Sequence, residues 1–171
     1  MEIVSKFAVG SDKGVDDLFD VKKAFIRDTY KEDVPSETIE NYIKEHLDHR
    51  KMINVLNDLS NQLIMVFVDD EPAGYCLFKS GSSYPDSPEG KKMTEIIGFG
   101  IVSEYNSSEV KASLWNKVKS AIKFTDSIWI NIHQNHPQLD IFKDNGFDFV
   151  KESISEPFGM ASSIYELNIS K

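Results

Sequence analysis

Few side chains in this sequence join a reactive group to a position that can use it. Residues 94–115 read TEIIGFGIVSEYNSSEVKASLW: a strand-like run, a short turn and a helix. Such a junction presents main-chain N–H groups that can hold phosphate. Loops that do so are usually rich in glycine, and residues 103–108 contain none. Asn106, followed three residues later by Glu109, also has the spacing of a capping box, whose side chains take the same N–H groups. Both readings fit, and a cap needs no ligand. Glu95 stands early in the strand, where a period of two gives it a face with Ile97, Phe99 and Ile101. His133 ends the later run IWINIH, and an imidazole there can exchange a proton near neutral pH. Either group has a plainer reading, Glu95 as a solvated or ion-paired carboxylate and His133 as a rim residue bonded to a loop. His46 and His49 lie in a charged run with Glu45, Asp48 and Arg50, which suits a solvated face more simply than a metal site. No metal is expected. His136, followed by proline, reads as a cap-region residue. Cys76, between Tyr75 and Leu77 in mid-strand, reads as a small buried hydrophobe.

The elements that must position these groups follow from periodicity. Residues 2–9 alternate apolar and polar as a strand does, and GSDKG breaks the run. A helix over 16–30 carries Leu18, Val21, Phe25 and Ile26 on one side. Ser36 is the expected N-cap of a second helix with Ile39, Tyr42, Ile43 and Leu47 as its stripe, and residues 49–60 continue it or form a third. Runs 62–68 and 73–79 read as a hairpin turned by Asp69-Asp70-Glu71-Pro72. Residues 81–92, rich in Ser, Pro and Gly, form a long loop, whose Tyr84 and acidic side chains either meet a cationic amine or stay solvated. The strand 94–103 holds Gly98 and Gly100, as a bulge or a close approach requires. A helix over 107–124, a strand over 126–134, a short helix ending near Gly146 and two closing strands, the last at 162–170, complete the chain. The order β-α-α-β-β-β-α-β-α-β-β implies an α/β (α+β) fold with a mixed central sheet of about seven strands and three or four helices on both faces.

Composition narrows the class. One domain over residues 1–171 is expected at this length. The net charge of −9, from 28 acidic and 19 basic residues, argues against nucleic acid or an anionic membrane as the partner. A single cysteine excludes an internal disulfide framework. MEIVSKFAVG has no basic segment followed by an apolar core, and no run approaches the roughly 20 apolar residues that span a bilayer, so a cytoplasmic protein is expected.

The element order and its motifs resemble the GNAT-type N-acetyltransferase family. IWINIHQNHPQLDIFKDNGFDFVKE is similar to the family's strand, asparagine, short helix and Gly-Phe, with Asn135 and Gly146-Phe147 matching as they stand. TEIIGFGIVSEY is similar to the fourth strand, which runs into the loop that binds the pyrophosphate of acetyl-CoA. The resemblance implies that the fourth and fifth strands splay apart around the pantetheine arm. By it, Ile101, Val102, Ser103, Asn106, Ser107, Ser108, Lys111 and Asn135 are the cofactor-binding residues and Glu95, where relatives carry a carboxylate, is catalytic; His133 is the second catalytic candidate from its own place beside the expected splay, as base or as a contact to the acceptor. The implied acceptor is a primary amine on a small molecule or peptide, and a homodimer is left open. Two features depart from the family, a loop and a tyrosine. Its loop, Arg/Gln-x-x-Gly-x-Gly/Ala, is matched here by Asn106, Glu109 and Lys111, so weak acetyl-CoA binding is expected. Its tyrosine is replaced by Phe142, which has no proton to donate. A catalytically impaired domain of the same fold, binding another ligand or a partner protein, is the alternative.

Overall fold

A computed structural model describes residues 1–169. Seven strands form one sheet in the order β1-β2-β3-β4-β5-β7-β6. They are β1 (Ile3–Ala8), β2 (Asn61–Val68), β3 (Glu71–Ser80), β4 (Met93–Ile101), β5 (Ser127–His133), β6 (Asp148–Ser155) and β7 (Met160–Asn168). Among the described residues only β4 and β5 run parallel. The crossover between them is α4 (Ser108–Ala121), which a parallel pair needs because a tight turn cannot reverse the chain twice. Five α-helices are present among the described residues, one more than the sequence suggested: α1 (Asp12–Tyr30), α2 (Ser36–His46), α3 (His49–Asn57), α4 and α5 (Leu139–Asp144).

The apolar run LIMVFV of β2 is explained by burial on both sides. Ile64 and Val66 join Cys76, Phe78, Ile96, Phe99 and Ile101 under α4, while Leu63 and Met65 join Tyr75 and Leu77 under α1. The stripe promised for α1 is buried, Leu18, Val21, Phe25 and Ile26, and α4 buries Val110, Leu114 and Val118. Helix ends differ from expectation. α1 starts at Asp12 because Ser11 Oγ accepts from Gly14 N–H. Ser36 is the first residue of α2 and not its cap, since Pro35 holds that place without a side-chain bond. The β2–β3 turn is the pair Asp69-Asp70, both at positive φ, and Pro72 already lies within β3. In the predicted last strand, Ser170 lies outside the described residues.

Candidate active site

The site is made by a sheet that comes apart. β4 and β5 pair at four positions, from Met93–Ser127 to Ile96–Ile130, and then diverge although β4 continues to Ile101 and β5 to His133. A bulge in β4 accompanies the divergence: Phe78 pairs with Ile96 and Leu77 with Gly98, leaving Ile97 unmatched. The extra residue also reverses the alternation. Ile96, before the bulge, lies on the α4 side with Phe99 and Ile101. Glu95 therefore faces the opposite, α1 side with Gly98 and Gly100, which corrects the face expected from an unbroken period of two. The two glycines admit neighbouring rings. A Cβ at Gly98 would stand 2.9 Å from the Tyr75 ring, and one at Gly100 2.9 Å from the Phe25 ring.

On the α1 side of the parting lies a cleft of about 180 Å³, walled by Lys22 and Tyr30 of α1, Tyr75 of β3, Gly98, Asn131 and His133. His133 is buried, and its Nδ1 has no hydrogen-bond partner among the described residues. Burial lowers its pKa against an opposing pull from Asp33, so the neutral imidazole dominates near pH 7. Tyr30, whose ring lies 5.5 Å from that of His133, is pushed up to about 12 by burial. Burial also lowers the pKa of Lys22, whose ammonium lies 5.9 Å from the centre of the Tyr75 ring. A larger groove of about 490 Å³ lies at the other end of β4, by Met93 and Thr125, but no carboxylate, histidine, cysteine or tyrosine lines it. The smaller cleft is the one that carries histidine and tyrosine side chains.

Two residues that the sequence reading missed or undervalued occupy the gap between the diverging strands. His136 Nε2–H donates to the Phe99 carbonyl at 2.9 Å, and His136 Nδ1 accepts from Gln138 N–H at 3.0 Å. These partners fix the tautomer, because a carbonyl only accepts and an N–H only donates. Burial, against a raising bond to Phe99, drops the His136 pKa to about 4. Its expected cap role is thus half of what it does. Gln138, fully buried, accepts from Ile101 N–H at 3.1 Å and donates to the Ile101 carbonyl at 3.2 Å. Nothing in the pattern HPQL marked it, since its partner lies 37 residues away in the chain.

The end of β4, the turn after it and the start of α4 carry every residue named for the cofactor except Asn135. Ile101 and Val102 lead into a 3₁₀ turn, Ser103–Tyr105, and Ser107 caps α4 by accepting from Val110 N–H at 3.3 Å. Ser107, and not Asn106, is therefore the N-cap, and Glu109 has no capping-box geometry with it. Ser108 and Glu109 keep main-chain N–H groups with no acceptor among the described residues, as the first turn of a helix does. Glu109 is exposed, whereas Lys111 turns to Asp140 of α5 at 3.0 Å. Asn135 is exposed in the turn after β5, within the segment that carries His136. Ile101 presents its main chain to Gln138.

Glu95 lies one pair below the parting, opposite Trp129, and accepts from Ser82 Oγ at 2.7 Å. It does not line the cleft. Ser82 belongs to the 81–92 loop, which is pinned to the sheet: Tyr84 O–H donates to Glu166 at 2.7 Å, Lys91 pairs with Glu166 at 2.6 Å, and Trp129 Nε1–H donates to the Ser82 carbonyl at 2.8 Å. Tyr84 is buried and serves this anchor. Phe142 is fully buried among Phe99, Trp115 and Phe147 and does not line the cleft. His46 and His49 join no metal-holding group among the described residues. No helix among them is long and apolar enough to cross a membrane.

The fold is shared with known structures. An N-acetyltransferase, paia, from Thermoplasma acidophilum in complex with coenzyme A is similar at a TM-score of 0.76 and 18% identity, with 98% of this chain and 99% of that one covered. A GCN5-related N-acetyltransferase from Rhodopseudomonas palustris is similar at 0.71 and 12% identity, over 98% and 96% of the chains. The ribosomal-protein-S18-alanine N-acetyltransferase of Escherichia coli is similar at 0.65 and 8% identity, over 98% and 96%. No family model matches the sequence, and no curated protein does. At such identities the likeness shows the fold.

Proposed function

We propose, for a chain with the acyl-CoA N-acyltransferase fold, that it moves an acetyl group from acetyl-CoA to a primary amine of a small molecule or peptide. The observation that carries this is the parting of β4 and β5 beyond Ile96–Ile130 beside a cleft that holds a neutral, unpartnered imidazole. The main chain in the gap suits an amide-bearing arm, because the groups of Ile101 already pair with an amide, that of Gln138. Ser108 and Glu109 N–H groups, with Lys111 in the same helix and Asn135 from the turn after β5, would face the phosphates, and Ile101, Val102, Ser103, Asn106 and Ser107 would shape the wall between arm and phosphates. Acetyl-CoA supplies the thioester, whose carbonyl carbon gains a C–N bond to the amine and loses its C–S bond to the departing thiol. His133 takes the ammonium proton on Nδ1. Glu95, on the same side of the sheet but outside the cleft, is the second carrier and reaches the amine only through water. Phe142 leaves the thiolate to be protonated from solvent. Calorimetric titration with acetyl-CoA, followed by thiol release over a panel of amines, tests the reading. Weak binding with turnover supports it, binding without turnover on any amine favours a ligand-binding domain, and no binding overturns it.

A further inference from the structure

Main-chain groups on a strand that has lost its neighbour must still be paired. Phe99 and Ile101 are buried, and an orphaned N–H or C=O there would cost as much as a lost hydrogen bond. The chain meets this with side chains. The Gln138 carboxamide returns both bonds of Ile101, at 3.1 and 3.2 Å, as one residue of a closely spaced antiparallel pair would. His136 takes the Phe99 carbonyl at 2.9 Å and holds the Gln138 N–H at 3.0 Å, so the two side chains stand as a unit. Phe25 of α1 closes the same gap, its ring 5.0 Å from that of His136.

We propose that Gln138 is a stand-in for the amide of the acyl donor: it fills the seat between β4 and β5 in the free chain, and the donor binds by exchanging with it. The inference rests on the function proposed above and adds how the donor is selected. A ligand that displaces Gln138 must give Ile101 both a donor and an acceptor, or leave two buried groups unpaired. A pantetheine-type arm carries secondary amides and can do so, whereas a thioester on a plain alkyl or aryl thiol cannot. The exchange also makes Gln138 a competitor, which adds to the weak binding expected from Glu109.

Three probes separate the parts: coenzyme A, pantetheine, and an adenosine bisphosphate, which carries phosphates but no amide arm. Replacing Gln138→Ala removes the competitor. Coenzyme A and pantetheine should then bind about tenfold more tightly, the worth of one or two neutral hydrogen bonds, and the bisphosphate no differently. Unchanged or weaker coenzyme A binding, with bisphosphate binding retained, would make Gln138 a permanent wall and overturn the inference while the proposed function stands. The variant leaves Ile101 unpaired when free, so a measurement on the unaltered protein accompanies it. Under saturating coenzyme A, the Gln138 side-chain amide resonances should move to solvent-exposed values while the Ile101 N–H stays protected from exchange. Gln138 resonances that do not move at saturation overturn the proposal. No binding of coenzyme A by either protein overturns both this inference and the acetyltransferase reading.

Discussion

His133 and Glu95 differ in what surrounds them, and that sets different expectations for their removal. His133 lines the cleft and is kept neutral by burial, so it can accept a proton at pH 7 without first losing one. Replacing His133→Gln should lower kcat/KM roughly 10²–10⁴-fold, the usual cost of losing a general base. Because burial depresses its pKa, the acid limb of the wild-type rate profile should lie below the ordinary histidine value of about 6.5. Glu95→Gln keeps the shape of the group held by Ser82 but removes its basicity, and should cost at least about tenfold near neutral pH if water carries its effect. Both deficits should shrink at alkaline pH, where the amine deprotonates itself. Thiol release against pH for the two variants checks this, and full activity in either removes that residue from the mechanism. The types and places of these residues were legible in the sequence. Their surroundings were not, because the Glu95 partner comes from a loop 13 residues away and the face it occupies depends on a bulge.

At the scale of one element, the turn into α4 is capped as its sequence allowed, though by a neighbouring residue. Ser107 caps the helix, so Ser107→Ala should destabilise the fold by about 1 kcal/mol, read by chemical denaturation. Glu109 is exposed in the first turn, beside the N–H groups proposed to face the phosphates. Glu109→Gly should remove a like charge there and tighten coenzyme A binding about fivefold, on the order of 1 kcal/mol. Its cost to stability should be limited to helix propensity, about 1 kcal/mol, because no capping bond is lost. A calorimetric Kd that does not improve would place the phosphates elsewhere. The cap was displaced by one residue because Ser107 and Asn106 are chemically equivalent as caps, and only the preceding 3₁₀ turn decides which of them has the extended backbone.

The whole molecule should feel His136 through pH. Its folded pKa of about 4 lies below the ordinary 6.5, so between those values the unfolded chain binds a proton that the folded chain does not. The resulting stability is present above about pH 6.5 and is lost as pH falls toward 4, with a span on the order of 3 kcal/mol. His133, also lowered by burial, acts in the same direction, while Asp140 and the Phe99 carbonyl pull His136 the other way. Denaturation midpoints should therefore drop between about pH 7 and pH 5, and His136→Gln should flatten that slope. A pH-independent midpoint across the window would show that His136 is not held neutral. The sequence alone determined the order of the strands, the stripe of α1 and the place of the turn after β4, because periodicity and local chemistry act within a few residues. The tertiary structure decided the parting of β4 from β5, the side of the sheet on which Glu95 lies, the pinning of Tyr84 to Glu166, and the closure of the gap by His136 and Gln138. Each of these depends on pairing demands between segments far apart in the chain, where a main-chain group takes whatever partner the fold brings to it.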